Sequence, residues 1–137
     1  ELCQYFLGLN YEIIVVTNQS GIGRGYFTEQ EFKTLNNWML SQLVENSVQI
    51  LEVFYCPHSP NDKCNCRKPR PGMFLEAIDK YNIDKKRSWM IGDKSSDIEA
   101  ANSAGIENCI FLGDKNVDTL AEYIVNDIEE IKTIIKD

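Results

Sequence analysis

Cys56-Pro-His-Ser-Pro-Asn-Asp-Lys-Cys-Asn-Cys-Arg-Lys-Pro-Arg-Pro-Gly72 is the segment around which this 137-residue chain is organised. Three of the five cysteines and the only histidine fall within its first eleven residues, and a basic cluster follows directly. No other stretch is as dense in side chains that bind metals or anions. A strand-like run leads into the segment and a helix-like run leads out, so we expect a loop that joins a strand to a helix.

The first part of the segment has the composition of a metal site. Its thiols and imidazole form a Cys3His set, which is the kind of donor set that zinc prefers in closed structural sites. A catalytic zinc would keep one position open, whereas four protein ligands fill the tetrahedron. The segment therefore predicts structural zinc; the alternative is a surface loop with unligated thiols and an ordinary histidine. The predicted ligands are Cys56, His58, Cys64 and Cys66.

Composition and charge limit the class of protein. With 43% hydrophobic and 26% charged residues, the chain is typical of a single soluble globular domain over 1–137. A net charge of −7 argues against nucleic-acid or anionic-membrane partners, although a local basic site could still bind a small anionic substrate. An odd number of cysteines, three of them clustered, favours metal ligation in a reducing compartment, and we expect a cytoplasmic monomer.

The order of predicted elements gives the fold class. β-Branched runs alternate with amphipathic runs, which predicts an α/β fold with a doubly wound, Rossmann-like parallel sheet. Strands are predicted over residues 12–17, 48–55, 87–92, 108–112 and 122–125. Helices are predicted over residues 1–9, after a cap at Thr28, from Pro71 as the first helical residue, after a cap at Ser95 or Ser96, and after a cap at Asn126, with Gly105 ending the fourth of these. In the last helix we expect Ile128, Ile131 and Ile135 to face the core.

The helix after Thr28 carries several agreeing signals. Thr28-Glu-Gln-Glu31 is a capping box, and phenylalanines stand at both staple positions. An apolar stripe follows at helical spacing, and we expect it to lie in the core together with Trp38. Its members are Phe32, Leu35, Met39 and Leu43.

Polar residues at separate predicted strand ends form a second constellation. Thr17 and Asn18 open a glycine-rich loop, Lys68 follows the metal loop, and Asp93 and Asp97 lie in a Gly-Asp loop. Carboxylates hold a hard cation such as Mg²⁺, while lysine and hydroxyl groups neutralise phosphate oxygens. Each signal alone also fits an ordinary loop or helix cap, so the prediction of a phosphoryl site depends on their joint occurrence.

Three motifs together make a more specific resemblance. Val16-Thr-Asn-Gln-Ser-Gly-Ile-Gly-Arg-Gly25, the segment 56–72 and Gly92-Asp-Lys-Ser-Ser-Asp97 resemble those of the haloacid dehalogenase (HAD) superfamily of phosphatases. The resemblance runs through essentially the whole chain. It implies Mg²⁺ as the catalytic metal, with Thr17 as the phosphate-binding hydroxyl and Lys68 as the charge-screening lysine. Asp93 would be a magnesium ligand, and Asp97 would support that end of the site.

The branch of the superfamily is indicated by finer detail. Arg-Lys-Pro-x-Pro-Gly-Met and Gly-Asp-Lys resemble the phosphatases that remove the 7-phosphate of D-glycero-D-manno-heptose 1,7-bisphosphate for surface-glycan biosynthesis such as lipopolysaccharide. In that branch Cys56, His58, Cys64 and Cys66 match a structural zinc loop. Asn18, Arg67 and Lys94 match substrate-binding positions. Histidinol-phosphate phosphatases share the zinc loop and are the alternative.

One motif of the superfamily is missing from these residues. Asp-x-Asp-Gly, whose first aspartate forms the aspartyl-phosphate and whose second is the acid and base, does not occur. Since Glu1 stands within a predicted helix and is not methionine, we expect a chain that lacks its first strand and is inactive alone. The rival interpretation is a non-catalytic, zinc-stabilised binding domain with the same fold.

Overall fold

The computed structural model describes residues 2–114 and 119–136, which divide into two compact units, residues 1–64 and 65–137. The first unit holds α1 (Leu2–Gly8), β1 (Ile14–Asn18), α2 (Ser20–Gly23), α3 (Glu29–Glu45) and β2 (Glu52–Cys56). The second holds α4 (Gly72–Tyr81), a 3-10 turn (Lys85–Arg87), β3 (Met90–Gly92), α5 (Ser95–Ser103), β4 (Cys109–Leu112), β5 (Tyr123–Val125) and α6 (Ile128–Ile134). All five predicted strands are present, with shifted ends. That residues 1–137 form a single domain stays a prediction.

The first unit contains a two-stranded parallel sheet. β1 pairs with β2 in a register that sets Ile14 opposite Glu52 and Asn18 opposite Cys56. The β-branched residues of β1 favour an extended backbone because their side chains pack well on a pleated surface. A β-branched run without polar alternation predicts a strand that is buried on both faces. That prediction was wrong for β1, because all five of its residues are only partly buried.

α3 begins as predicted but buries less than predicted. Thr28 Oγ1 accepts a hydrogen bond from Glu31 N at 3.0 Å, and Glu31 Oε1 accepts one from Thr28 N at 2.8 Å, which confirms the capping box. Phe32 is buried against Tyr55, with ring centroids 4.6 Å apart. Leu35 and Trp38 are 64% and 61% exposed, so the expectation that they lie in the core was wrong. Two strands spaced about 4.8 Å apart are too narrow to cover the whole apolar face of a helix.

The second unit contains a three-stranded parallel sheet in the order β3–β4–β5. β4 is its central strand, and its Cys109 and Ile110 are fully buried. α5 packs on β3 and β4 with Ile98, while α6 packs on β5 with Ile131, and both isoleucines are also fully buried. This unit therefore has a continuous apolar core.

Three helix starts differ slightly from the prediction. The N-cap of α5 is Lys94 rather than Ser95 or Ser96. Pro71 is the N-cap of α4 rather than its first helical residue, and Asp127, not Asn126, caps α6 by accepting from Glu129 N at 3.0 Å. Ile128, which was expected to face the core, is 48% exposed. Within the described residues, no helix has the length and apolar character needed to cross a membrane.

A hydrogen bond between β2 and α3 generates a prediction about ionisation. Tyr55 Oη donates to Glu29 Oε2 at 2.5 Å, and this bond raises the pKa of Tyr55 to about 12 and lowers the pKa of Glu29. Because the folded pKa is raised above the usual value of about 10, this stabilisation is complete below pH 10 and is lost as the pH rises through 12. We expect Glu29→Gln to move one tyrosine transition in a 295 nm absorbance titration back toward pH 10.

The matched control is Glu45→Gln at the other end of α3. It should leave the late tyrosine transition in place, because Glu45 is exposed and distant along the helix. Identical titration curves for Glu29→Gln and the parent chain would contradict the assignment.

Candidate active site and metal cluster

The loop after β1 begins directly opposite the cysteine-rich segment. Thr17 and Asn18 are the last residues of β1, and Asn18 is the register partner of Cys56. The ladder continues by one bond beyond the strand, because Gln19 N donates to Cys56 O at 2.7 Å. The predicted phosphate-binding residues and the first predicted metal ligand therefore share one edge of the sheet.

A glycine allows this loop to pack closely against the cysteine-rich segment. A Cβ atom on Gly23 would lie 2.6 Å from Ser59 N and 2.8 Å from Pro57 O, both backbone atoms. Such contacts are too short for a side chain, and the backbone cannot yield as a flexible side chain could. Gly23 is thus needed where α2 meets the residues that follow Cys56.

The predicted metal ligands converge in the structure. The ligand atoms of Cys56, His58, Cys64 and Cys66 all lie within 4.8 Å of one another. Cys56 Sγ is 3.6 Å from Cys64 Sγ and 3.4 Å from His58 Nδ1. Ligands about 2.1–2.3 Å from a tetrahedral zinc are separated by about 3.5–3.8 Å, so these distances and the donor set fit that ion.

Cys109 has a different environment from the clustered cysteines. It is fully buried in β4, and its Sγ donates to Ile106 O at 3.4 Å. Burial, assisted by the nearby Glu122 charge, raises the pKa of this thiol to about 11. A thiol that stays protonated at neutral pH is a poor nucleophile and a poor metal ligand, so Cys109 acts as part of the core.

Lys68 and Asp97 form an ion pair in the second unit. Lys68 Nζ lies 2.7 Å from Asp97 Oδ1, and the two side chains are only 9% and 8% exposed. The other carboxylate oxygen of Asp97 accepts from Lys94 N at 3.2 Å at the start of α5. Both oxygens of Asp97 therefore have partners within the protein.

Gly92 permits the approach of Asp97 to the end of β3. A Cβ atom on Gly92 would lie 2.6 Å from Asp97 Cβ and 2.8 Å from Asp97 Oδ2. Any side chain at this position would displace the carboxylate. The Gly-Asp motif thus has a structural role for its glycine in addition to the predicted role of its aspartate.

The remaining predicted site residues differ in exposure. Asp93 and Lys94 follow β3 and are exposed, so their charged groups are accessible to a ligand. Arg67 is partly buried, and its Nη1 is a buried donor without a hydrogen-bond partner among the described residues. An unpaired buried guanidinium nitrogen is unfavourable in the protein alone and would be satisfied by an anionic acceptor.

The structure also shows residues that sequence reasoning missed. Gln19 Nε2 lies 3.0 Å from Thr17 Oγ1, which no spacing rule would indicate. The requirement for glycine at positions 23 and 92 was visible in the sequence only as glycine within loops. The roles assigned to individual site residues stay predictions.

Comparison with known proteins identifies the family. A sequence model of the HAD-hydrolase-like family matches residues 65–131. The chain is 47% identical over 111 residues to the D-glycero-alpha-D-manno-heptose-1,7-bisphosphate 7-phosphatase of Photorhabdus laumondii, a match covering 76% of this chain and 61% of that protein. It is 38% identical to the corresponding beta-heptose phosphatase of Pasteurella multocida, covering 99% of this chain and 80% of that protein. The chain belongs to the heptose-bisphosphate phosphatase family of the HAD superfamily.

The HAD fold is confirmed by structural similarity. The D,D-heptose 1,7-bisphosphate phosphatase of B. bronchiseptica, solved with magnesium and phosphate, superposes with a TM-score of 0.84 at 24% identity. The match covers 98% of this chain and 81% of that one. The predicted parallel α/β fold of the HAD phosphatases is therefore confirmed. The chain spans about three fifths of the length of the Photorhabdus relative.

The buried ion pair of this HAD chain generates a stability prediction. Removing one partner of a buried pair leaves the other charge uncompensated, which typically costs about 3–5 kcal/mol. We expect Asp97→Asn to lower the free energy of unfolding by about 3 kcal/mol, measured by urea denaturation at pH 7. Glu99→Gln, two residues along α5 at an exposed position, is the matched control. A loss for Asp97→Asn no larger than that of the control would show that the pair does not stabilise the fold.

Proposed function

We propose that the protein containing these residues is a magnesium-dependent phosphatase that removes the 7-phosphate of D-glycero-D-manno-heptose 1,7-bisphosphate. The observation that carries the proposal is the buried Lys68–Asp97 pair at the start of the Gly-Asp helix. A preorganised ammonium held in a site of low dielectric stabilises charge on a transferring phosphoryl group far better than an exposed lysine does. The names of the Photorhabdus and Pasteurella relatives support the substrate.

The magnesium ion is assigned to Asp93. Its carboxylate is exposed beyond the carboxyl end of β3, where ligands collect in open α/β sheets. Carboxylate oxygen is a preferred donor for Mg²⁺, and Asp97 supports the same loop. Bound Mg²⁺ would supply charge stabilisation to the phosphoryl group.

The sugar and the phosphate groups of the substrate are assigned to polar side chains of the three motifs. Thr17 provides a hydroxyl donor for a phosphate oxygen, with Asn18 beside it. Arg67 Nη1, which has no hydrogen-bond partner among the described residues, would donate to an anionic group, and Lys94 is exposed next to Asp93. Hydroxyl, amide and cationic groups of this kind suit a small sugar carrying two phosphates.

We further propose that the protein is a cytoplasmic monomer and contributes a heptose precursor to surface glycans such as lipopolysaccharide.

The nucleophile is the first aspartate of the Asp-x-Asp-Gly motif. No Asp-x-Asp occurs in the 137 residues, so we propose that these residues alone form no aspartyl-phosphate. The second aspartate of that motif would act as acid and base. The chain described here contributes the groups that bind phosphate and metal.

Phosphate release by the natural gene product tests the function. We expect turnover of heptose 1,7-bisphosphate that EDTA abolishes and that exceeds turnover of histidinol phosphate. Lys68→Met should lower kcat by about 10²–10³-fold, because it removes a preorganised charge, while exposed Lys80→Met should not. The 137-residue chain should show no release. A natural gene product without phosphatase activity would support a non-catalytic binding domain, and magnesium-dependent turnover by the 137 residues would contradict the nucleophile assignment.

The cluster of Cys56, His58, Cys64 and Cys66 is proposed to hold a structural zinc. Four protein donors fill the tetrahedron and leave no position for substrate, so the ion would stabilise the segment 56–66 rather than react. We expect about one zinc per chain by metal analysis. Cys64→Ser should lose the zinc and lower the melting temperature, whereas Cys3→Ser should retain it. Equal zinc content in both variants would contradict this site.

A further inference from the structure

Among residues 2–114 and 119–136, the hydroxyl assigned to phosphate binding has one close hydrogen-bond partner. Gln19 Nε2 donates to Thr17 Oγ1 at 3.0 Å. The other contact of this hydroxyl is Asn18 O at 3.4 Å, which is long for an O–H···O hydrogen bond. Gln19 therefore makes the dominant interaction with Thr17 Oγ1.

The backbone of Gln19 is fixed on both sides. Its N–H donates to Cys56 O at 2.7 Å, and its carbonyl accepts from Ile22 N at 3.1 Å as α2 begins. Gln19 is the N-cap of that short helix. Because these bonds hold the Cα position, the side chain approaches Thr17 from a defined direction.

The Gln19 side chain also borders residues at the start of α3. It lines a small cavity of about 170 Å³ together with Phe27, Phe32, Leu35 and Glu31.

The direction of this hydrogen bond determines where the Thr17 proton points. A threonine hydroxyl has one O–H donor and two acceptor lone pairs. Since the Gln19 amide occupies a lone pair, and Asn18 O is too distant to compete strongly, the proton is left for a third group. A phosphate oxygen is the acceptor that the proposed reaction supplies.

We propose that Gln19 is a positioning residue that orients the Thr17 hydroxyl so that its proton is donated to the phosphoryl group. The inference rests on the proposed phosphatase function and on the role assigned there to Thr17. Gln19 acts through Thr17, and only its amide NH2 can serve, because a carboxylate at the same place would accept the hydroxyl proton instead.

A double-mutant cycle in the natural gene product tests the role. We expect Gln19→Met to lower kcat about tenfold, the effect of about one net hydrogen bond at the transition state, while KM changes less than about twofold. In a Thr17→Val background the same change should lower kcat by less than about twofold, since no hydroxyl remains to orient. Gln19→Glu should lower kcat at least as much as Gln19→Met.

The controls separate this inference from the proposed function. Gln42→Met, on the exposed part of α3, should leave kcat unchanged, and the thermal unfolding of each variant should be compared with that of its parent. Equal losses of kcat with and without the Thr17→Val change would show that Gln19 is merely structural, with the phosphatase function intact. A parent protein without turnover would overturn both. A loss confined to the background that retains Thr17 would support the positioning role.

Discussion

The parallel pairing of β1 with β2 is the constraint on which the candidate site depends in the first unit. It places Asn18 opposite Cys56, and the bond from Gln19 N to Cys56 O extends the ladder to the first residue of the loop. In a parallel pair both strands end at the same edge, so the loop proposed to bind phosphate and the segment proposed to bind zinc start side by side. A slip of one residue would turn every side chain of β1 to the opposite face and remove the alignment of Asn18 and Gln19 with Cys56.

The second unit depends on a different interaction, the ion pair between the buried side chains of Lys68 and Asp97. An isolated ammonium in the interior would carry a large desolvation penalty, and a surface ion pair would contribute little. Asp97 compensates Lys68 at 2.7 Å and is itself fixed by Lys94 N, so the charge has a defined position. That position depends on Gly92, because even a methyl group there would contact the Asp97 carboxylate.

Features encoded by local chemistry could be predicted from the sequence. The Thr28–Glu31 capping box depends on four consecutive residues, and the metal cluster depends on donor types within one short segment. The burial of side chains was harder to predict. The spacing of Leu35 shows that it shares a face of α3 with Phe32, but it does not show how wide the sheet next to that face is. The Gln19–Thr17 contact was not predictable either, since it depends on how α2 turns after the strand.

The cysteines show how the same functional group acquires different roles from its surroundings. Cys109 is enclosed by apolar residues, and the raised pKa keeps its thiol neutral, so it behaves as a small hydrophobic side chain. Cys56 is equally buried, yet its sulfur lies 3.6 Å from Cys64 and 3.4 Å from His58. A buried sulfur among other donors is suited to a cation that offsets thiolate charge. Burial therefore makes one thiol unreactive, whereas clustering places the other where the proposed zinc would join the segment 56–66 together beside the loop that follows Thr17.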